Sequence, residues 1–249
     1  MEQPYTKENI EAAMIHIRQL FCAALSCILV LFSVCSVIRF HAEAKPAYVQ
    51  YQQRPQIILD AGHGGMDGGA VGINGIVEKQ INLSITLKLQ ELLQLNGFDV
   101  VLTRDSDDSI HDPKETSIAG QKRSDMYNRM NIIEQHPTAL FISIHQNMYT
   151  DASCRGAQIF FSPNHVSSQV LAQNIQNSFQ KHIQLDNTRQ IKEAGDNLFL
   201  LYNAKIPAVL VECGFLSNPD ESALLSDETY QKKVAHVLYL ALLDFYSES

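Results

Sequence analysis

Cysteine is scarce where a folded domain would use it. Of the five cysteines, Cys22, Cys27 and Cys35 fall in one apolar stretch near the amino terminus, which leaves Cys154 and Cys213. Two cysteines build neither a disulfide framework nor a cysteine-rich zinc site. One bridge between them is conceivable, and a free buried thiol is the simpler reading. Positive charge is also short. Lys and Arg number 19 against 27 Asp and Glu, for a net charge of −8. An acidic chain matches a polyanion poorly, which argues against nucleic acid as a partner. Charged residues make up 18% and apolar residues 45%, the balance of a globular chain rather than of a long disordered one. No internal repeat and no low-complexity tract is present.

Long apolar runs are absent except for one. Leu20 to Ile38 carries no charge and is bounded by Arg18 and Arg39. It reaches the length a helix needs to cross a hydrocarbon core of about 30 Å. It exceeds a typical signal-peptide apolar region, which favours an uncleaved anchor; Ala42-Glu-Ala44 keeps the alternative of cleavage and secretion open. Lys7 and Arg18 before the run nearly balance Arg39 and Lys45 after it, so the charge rule for orientation is close to a tie. The expected organisation is a cytoplasmic segment over 1–19, a membrane anchor or signal over 20–38, a linker over 39–54 and a folded domain over 55–249.

From Gln56 onward the pattern alternates between strand and helix. Ile57 to Leu59 reads as a strand. Ile81, Ile85, Leu89 and Leu92 form a helical stripe that Gly97 ends. Phe98 to Thr103 reads as the next strand, and the polar stretch Ser106 to Gln121 as a long loop. Met126, Met130 and Ile133 mark a second helix, and strands follow at Leu140 to Ile144 and Ala157 to Phe161. Val170 or Leu171 with Ile175 and Phe179 marks a third helix, and Ala208 to Val211 a further strand. The last helix is expected from an N-cap at Ser226, with its stripe at Tyr230, Val234, Leu238, Ala241 and Phe245. Such alternation predicts a single α/β domain. It has one central, mostly parallel mixed sheet, helices on both faces and the apolar amino-terminal helix before it.

Three of these strands lead into chemistry. Ile57-Ile-Leu-Asp-Ala-Gly-His-Gly-Gly65 runs into a glycine-rich turn holding His63. Ala139-Leu-Phe-Ile-Ser-Ile-His-Gln-Asn147 carries His145, and Pro207-Ala-Val-Leu-Val-Glu-Cys-Gly-Phe215 carries Glu212. The carboxyl ends of strands in α/β sheets are where ligands collect. Taken alone, His63 is equally well a turn histidine in solvent, and His145 is more simply a satisfied core histidine. Glu78, at the entry to the first helix, is favoured there by the helix dipole whatever its function. Glu212, after four apolar residues, is costly to bury unless paired, protonated or coordinated. Together, two imidazoles and a carboxylate are the ligand set of several catalytic zinc sites, with one position open and a further carboxylate as base.

In this order the segments resemble the zinc-dependent N-acetylmuramoyl-L-alanine amidases that cut peptidoglycan. The matching pieces are Asp60-Ala-Gly-His-Gly-Gly65, Glu78, Thr103-Arg-Asp105, Ser143-Ile-His-Gln-Asn147, Arg155-Gly-Ala157 and Val211-Glu-Cys-Gly-Phe-Leu-Ser-Asn218. Ala61 stands where that family often has proline, a departure that touches turn rigidity and no ligand. The resemblance implies one zinc ion held by His63, Glu78 and His145, with Glu212 as the catalytic acid–base residue. It offers Asn147 and Arg104 for substrate contact or for support of the ligands. It also implies a peptidoglycan substrate and a catalytic domain outside the cytoplasm, on the cell-wall side or in the forespore intermembrane space. An apolar helix before a lone catalytic domain, with no repeat that would form a wall-binding module, further resembles the germination-specific amidases of spore formers. Those act in muramic-δ-lactam formation in spore cortex. An accessory sporulation protein is compatible with this and leaves no signal in the sequence. Without the motifs, the ligand set fits another zinc hydrolase, such as a carboxypeptidase or deacetylase. A catalytically dead, membrane-tethered binding protein would be expected to have lost one of the four residues.

Overall fold

The computed structural model describes residues 14–33, except 15, 23 and 27, and residues 56–247, except 74. The chain divides into two compact units, Met1–Gln53 and Arg54–Ser249. In the first, the described residues between Met14 and Ser33 are helical and exposed, and His16–Ser33 is long and apolar enough to cross a membrane, with a mean hydropathy of 1.7. Residues 34–38 of the expected anchor, the linker 39–54, the Ala42-Glu-Ala44 motif and most of 1–19 lie outside the described residues.

The second unit is built on a six-stranded sheet of order β2-β1-β3-β6-β4-β5. Its strands are β1 (Ile57–Ala61), β2 (Val100–Leu102), β3 (Leu140–Asn147), β4 (Gln158–Phe161), β5 (Lys192–Glu193) and β6 (Ala208–Phe215). All neighbours run parallel except β4 against β6, so the sheet is mixed and mostly parallel as expected. The helices are α1 (Glu78–Leu95), α2 (Ile118–Gln135), α3 (Val166–His182), α4 (Phe199–Asn203), α5 (Pro219–Ser226) and α6 (Glu228–Ser247).

Two apolar cores lie on opposite faces of this sheet. On one, Ile81, Ile85 and Leu89 of α1, Ile175 and Phe179 of α3, and Val234 and Leu238 of α6 pack on Leu59, Ile144 and Val211. On the other, Met130 and Ile133 of α2 and Leu200 and Leu201 of α4 pack on Ile58, Phe141 and Leu210. Strands covered on both faces need apolar side chains on both, which is why β1, β3 and β6 read as near-continuous apolar runs.

Several boundaries moved. The α1 stripe closes on Leu93, fully buried, rather than on Leu92. Gly97, at φ +78°, ends that helix in a Schellman pattern, with Gly97 N–H donating to Gln94 O and Phe98 N–H to Leu93 O. The polar loop after β2 is shorter than expected because Ser117 caps α2, its hydroxyl accepting from Gly120 N–H. The N-cap of α6 is Asp227, not Ser226: Tyr230 N–H donates to the Asp227 carboxylate at 2.8 Å, while Ser226 Oγ donates backward to Ser222 O. The short elements β5, α4 and α5 carry too little periodicity to stand out in the sequence. Cys154 and Cys213 are free thiols, and Cys213 is buried.

Candidate metal centre

The centre is assembled at the carboxyl end of the sheet from four separate segments. β1 and β3 are adjacent and in register from Ile57↔Leu140 to Ala61↔Ile144, so the turn after Ala61 lies beside His145. His145 is paired in register with Glu212 on β6, and cross-strand partners project to the same face. Both strands run beyond these residues, to Asn147 and Phe215, so the imidazole and the carboxylate stand within strands rather than after them. Val77, in extended conformation, precedes α1 and delivers Glu78 from its first turn, buried to 3%.

Three donors converge. His63 Nε2 lies 3.3 Å from Glu78 Oε2, and His145 Nδ1 lies 3.0 Å from Glu78 Oε1. The rings meet edge to face, with centroids 4.9 Å apart. One donor atom from each residue falls within 4.8 Å of the others. The remaining positions around them are satisfied by protein. Ala70 N–H and Gln146 N–H donate to the two Glu78 oxygens at 2.8 and 3.1 Å, and Asn82 Nδ2 adds a bond of 3.3 Å. His63 Nδ1 meets Asp67 Oδ2 at 2.8 Å. A carboxylate only accepts, so Nδ1 carries the proton and Nε2 is the nitrogen facing the cluster.

Backbone space is kept open for these groups. A Cβ on Gly62 would collide with the His145 ring, and one on Gly69 would collide with Glu78 and His63. His63 itself sits at φ +64°, a conformation that costs a non-glycine residue of order 1–3 kcal/mol and persists where surroundings over-determine it. Two buried guanidiniums supply that determination. Arg104 donates to Ala61 O, Gly62 O, Lys79 O and Ser106 O. Arg129 donates to Ala61 O and His63 O, and is ion-paired with Asp60 and Asp125. Sequence reading picked out Arg104 and missed Asp60, Asp67 and Arg129. Their signal is faint: Asp60 is the lone polar residue of a short strand, and an Asp in a glycine-rich turn or a lone Arg on a helix is an ordinary surface feature. Asn147, partly buried, lies two positions beyond His145, where its carbonyl accepts from Leu216 N–H.

The electrostatics follow from this packing. Burial works against charge on the His63 ring, but its bonds to Asp67 and Glu78 outweigh it and raise the imidazole to about 9. Burial also works against charge at Glu78, but its bonds to His145 and then to His63 outweigh it and hold the carboxyl far below the usual range; the bond to His63 chiefly does so at Asp67. Glu212 goes the other way. Burial pushes it up to about 7, and its Oε2 has no hydrogen-bond partner. A cavity of about 270 Å³ opens beside His63 and His145, with Met126 of α2 and Leu198 to Leu201 forming its far wall.

Two imidazole nitrogens and a carboxylate, facing inward with a carboxyl group beside them that protein leaves unbonded, fit a divalent cation of the zinc type. Fold and site together define an α/β metal-dependent hydrolase. The N-acetylmuramoyl-L-alanine amidase family model matches residues 57–244. The chain is 34% identical over 192 residues to the germination-specific N-acetylmuramoyl-L-alanine amidase of Bacillus subtilis, covering 77% of this chain and 80% of that protein. Among solved structures it is similar to the CwlD amidase of Clostridioides difficile, determined in complex with the GerS lipoprotein. The TM-score is 0.76 and the identity 39%, over 79% of this chain and 100% of that one. The catalytic domain of CwlV from Bacillus (Paenibacillus) polymyxa gives a TM-score of 0.62 at 28% identity, over 77% of this chain and 98% of that one. The chain belongs to the N-acetylmuramoyl-L-alanine amidase family and is an enzyme of that activity.

Proposed function

We propose that this chain hydrolyses the amide between the lactyl group of N-acetylmuramic acid and L-alanine in peptidoglycan, with zinc held by His63, Glu78 and His145. The observation that carries the reading is the partly buried Glu212, whose inaccessible Oε2 has no partner, standing in register beside His145 and next to three convergent metal donors. Zinc, when bound, supplies Lewis acidity, polarising the carbonyl and lowering the pKa of water from 15.7 to about 7. Glu212, which burial raises to about 7 in the metal-free protein, stands beside the metal donors where it can accept and return a proton. Its carboxylate takes the proton from the attacking water. The resulting acid then delivers that proton to the nitrogen of L-alanine, so that a neutral amine departs. Asp67 holds the His63 tautomer, and Arg104 and Arg129 fix the turn that aims it.

The likeness to a germination-specific amidase and to an amidase bound to a lipoprotein supports a role in spore cortex, with an accessory partner. The apolar segment over 20–38 is the proposed membrane anchor, joined by a linker over 39–54 to the catalytic domain over 55–249, which acts outside the cytoplasm. Digestion of muropeptides with and without a chelator tests the enzymatic reading. Release of intact peptide with a free L-alanine amino terminus, abolished by chelation, is the expected result; released acetate or peptide cut internally is the outcome against it.

A further inference from the structure

A second cavity, of about 280 Å³ and polar, opens between the loop before β4 and the loop joining α3 to β5. It lies on the same edge of the sheet as the metal centre. β4 runs antiparallel to β6, so its first residue, Gln158, falls in register with Glu212. The row His145, Glu212, Gln158 therefore crosses three adjacent strands at one level, about 4.8 Å apart per strand.

Arg189 is fixed at the end of this row. Its Nη1 donates to Gln158 Oε1 at 3.2 Å, and its Nε donates to Arg155 O at 2.7 Å. Its guanidinium stacks on the Phe215 ring, 4.5 Å from the centroid, and Phe215 follows Glu212 by three residues on β6. Its Nη2 takes no partner among the described residues, nor does any described carboxylate form an ion pair with it. The other arginines of this edge are engaged: Arg155 pairs with Asp186 at 3.0 Å, and Arg129 with Asp60 and Asp125. Glu221 also lines the cavity, but its two oxygens accept from Gly156 N–H and Phe215 N–H. An immobilised guanidinium with a free N–H edge is a ready-made carboxylate receptor, because the entropy of ordering the side chain is already lost.

We propose that Arg189 binds a carboxylate on the peptide limb of the substrate, and so sets specificity for stem peptides that are not amidated at that position. This deepens the amidase reading and rests on it. The amine side of the scissile bond is the side that carries carboxylates, and Arg189, which pairs with no described carboxylate, is bonded to Gln158 on the strand beside that of the proposed acid–base residue.

The test compares two muropeptides on the full-length, zinc-loaded chain, one with a free carboxylate on the residue after L-alanine and one with the carboxamide. Wild type is expected to prefer the carboxylate about tenfold or more in kcat/KM, chiefly through KM. Arg189→Ala is expected to bring that ratio near one by raising KM for the carboxylate substrate far more than for the carboxamide, and Arg189→Lys to recover part of the preference. If Arg189→Ala does not fold, as judged by melting, Arg189→Gln carries the same comparison. A variant that keeps the wild-type ratio, or loses both substrates equally, overturns the proposal. Failure of the wild-type enzyme to cleave either substrate strikes the amidase reading itself, and the proposal with it.

Discussion

His63 donates from Nδ1 to Asp67, four residues further along the same glycine-rich turn, at 2.8 Å. Lys122 of α2 holds the other Asp67 oxygen at 2.8 Å. The chain Lys122–Asp67–His63 thus orients the ring and keeps Nε2 towards Glu78. Partners of this kind are worth about 10- to 100-fold in metal affinity. Asp67→Asn is expected to weaken zinc binding by that factor while the fold persists. Competition with a chromophoric chelator measures it, and an unchanged affinity would remove Asp67 from the site.

Zinc uptake should release protons. In the metal-free protein His63 is raised to about 9, so near pH 7 its ring is protonated and the metal must displace that proton. Zinc affinity is expected to rise with pH until about 9 and then level. Calorimetry in buffers of different ionisation enthalpy reads the proton count directly; a pH-independent affinity between 6.5 and 9 contradicts the assignment. The same shift has a stability consequence. A raised imidazole contributes stability that is complete below its unfolded value of 6.5 and is lost as pH rises through about 9. Glu78 and Asp67 are depressed, so their contribution is present above ordinary carboxylate values and lost in acid.

Glu212→Gln is expected to retain zinc and lose about 10²- to 10⁴-fold in kcat. Because burial raises Glu212 from 4.5 to about 7, ionising it penalises the fold increasingly as pH rises through that interval. The metal-free Gln variant should therefore melt higher than the metal-free wild type at pH 8 and equally at pH 4. A wild-type hydrolysis rate in this variant would refute the acid–base role.

Three glycines separate crowding from backbone strain. Gly62→Ala and Gly69→Ala place a methyl group against the ligands, and both should abolish stoichiometric zinc binding by metal analysis. Gly75 also has positive φ, +73°, but nothing lies within 4 Å of its Cβ position. Gly75→Ala should cost only the left-handed strain, about 1–2 kcal/mol in thermal unfolding, and leave zinc content intact.

Arg129→Ala should be the most damaging of the surrounding substitutions. It leaves the Asp60 carboxylate, 1% exposed, without its cation. Removing one partner of a buried pair costs about 3–5 kcal/mol. Urea unfolding of the metal-free domain measures the loss, and a change below 1 kcal/mol would mean that the pair is not buried in solution.

What the linear chain determined is the alternation of elements and the identity of the chemical groups. Short Ile, Val and Leu runs bounded by turn residues fit strands covered on both faces, and helical stripes such as Tyr230, Val234 and Leu238 declare their buried side through spacing alone. Glu212 was visible because a carboxylate inside such a run has few uses other than chemistry. Folding alone decided which of these groups meet. His63, Glu78 and His145 become neighbours through the β1–β3 register and the placement of α1. Glu212 and Gln158 become neighbours because β4 turns antiparallel against β6, a pairing that no local pattern encodes. The partners of Asp60, Asp67, Arg129 and Arg189 stayed hidden for the same physical reason. A polar side chain announces nothing about its partner until the backbone removes water from around it, and that removal depends on contacts between residues far apart in sequence.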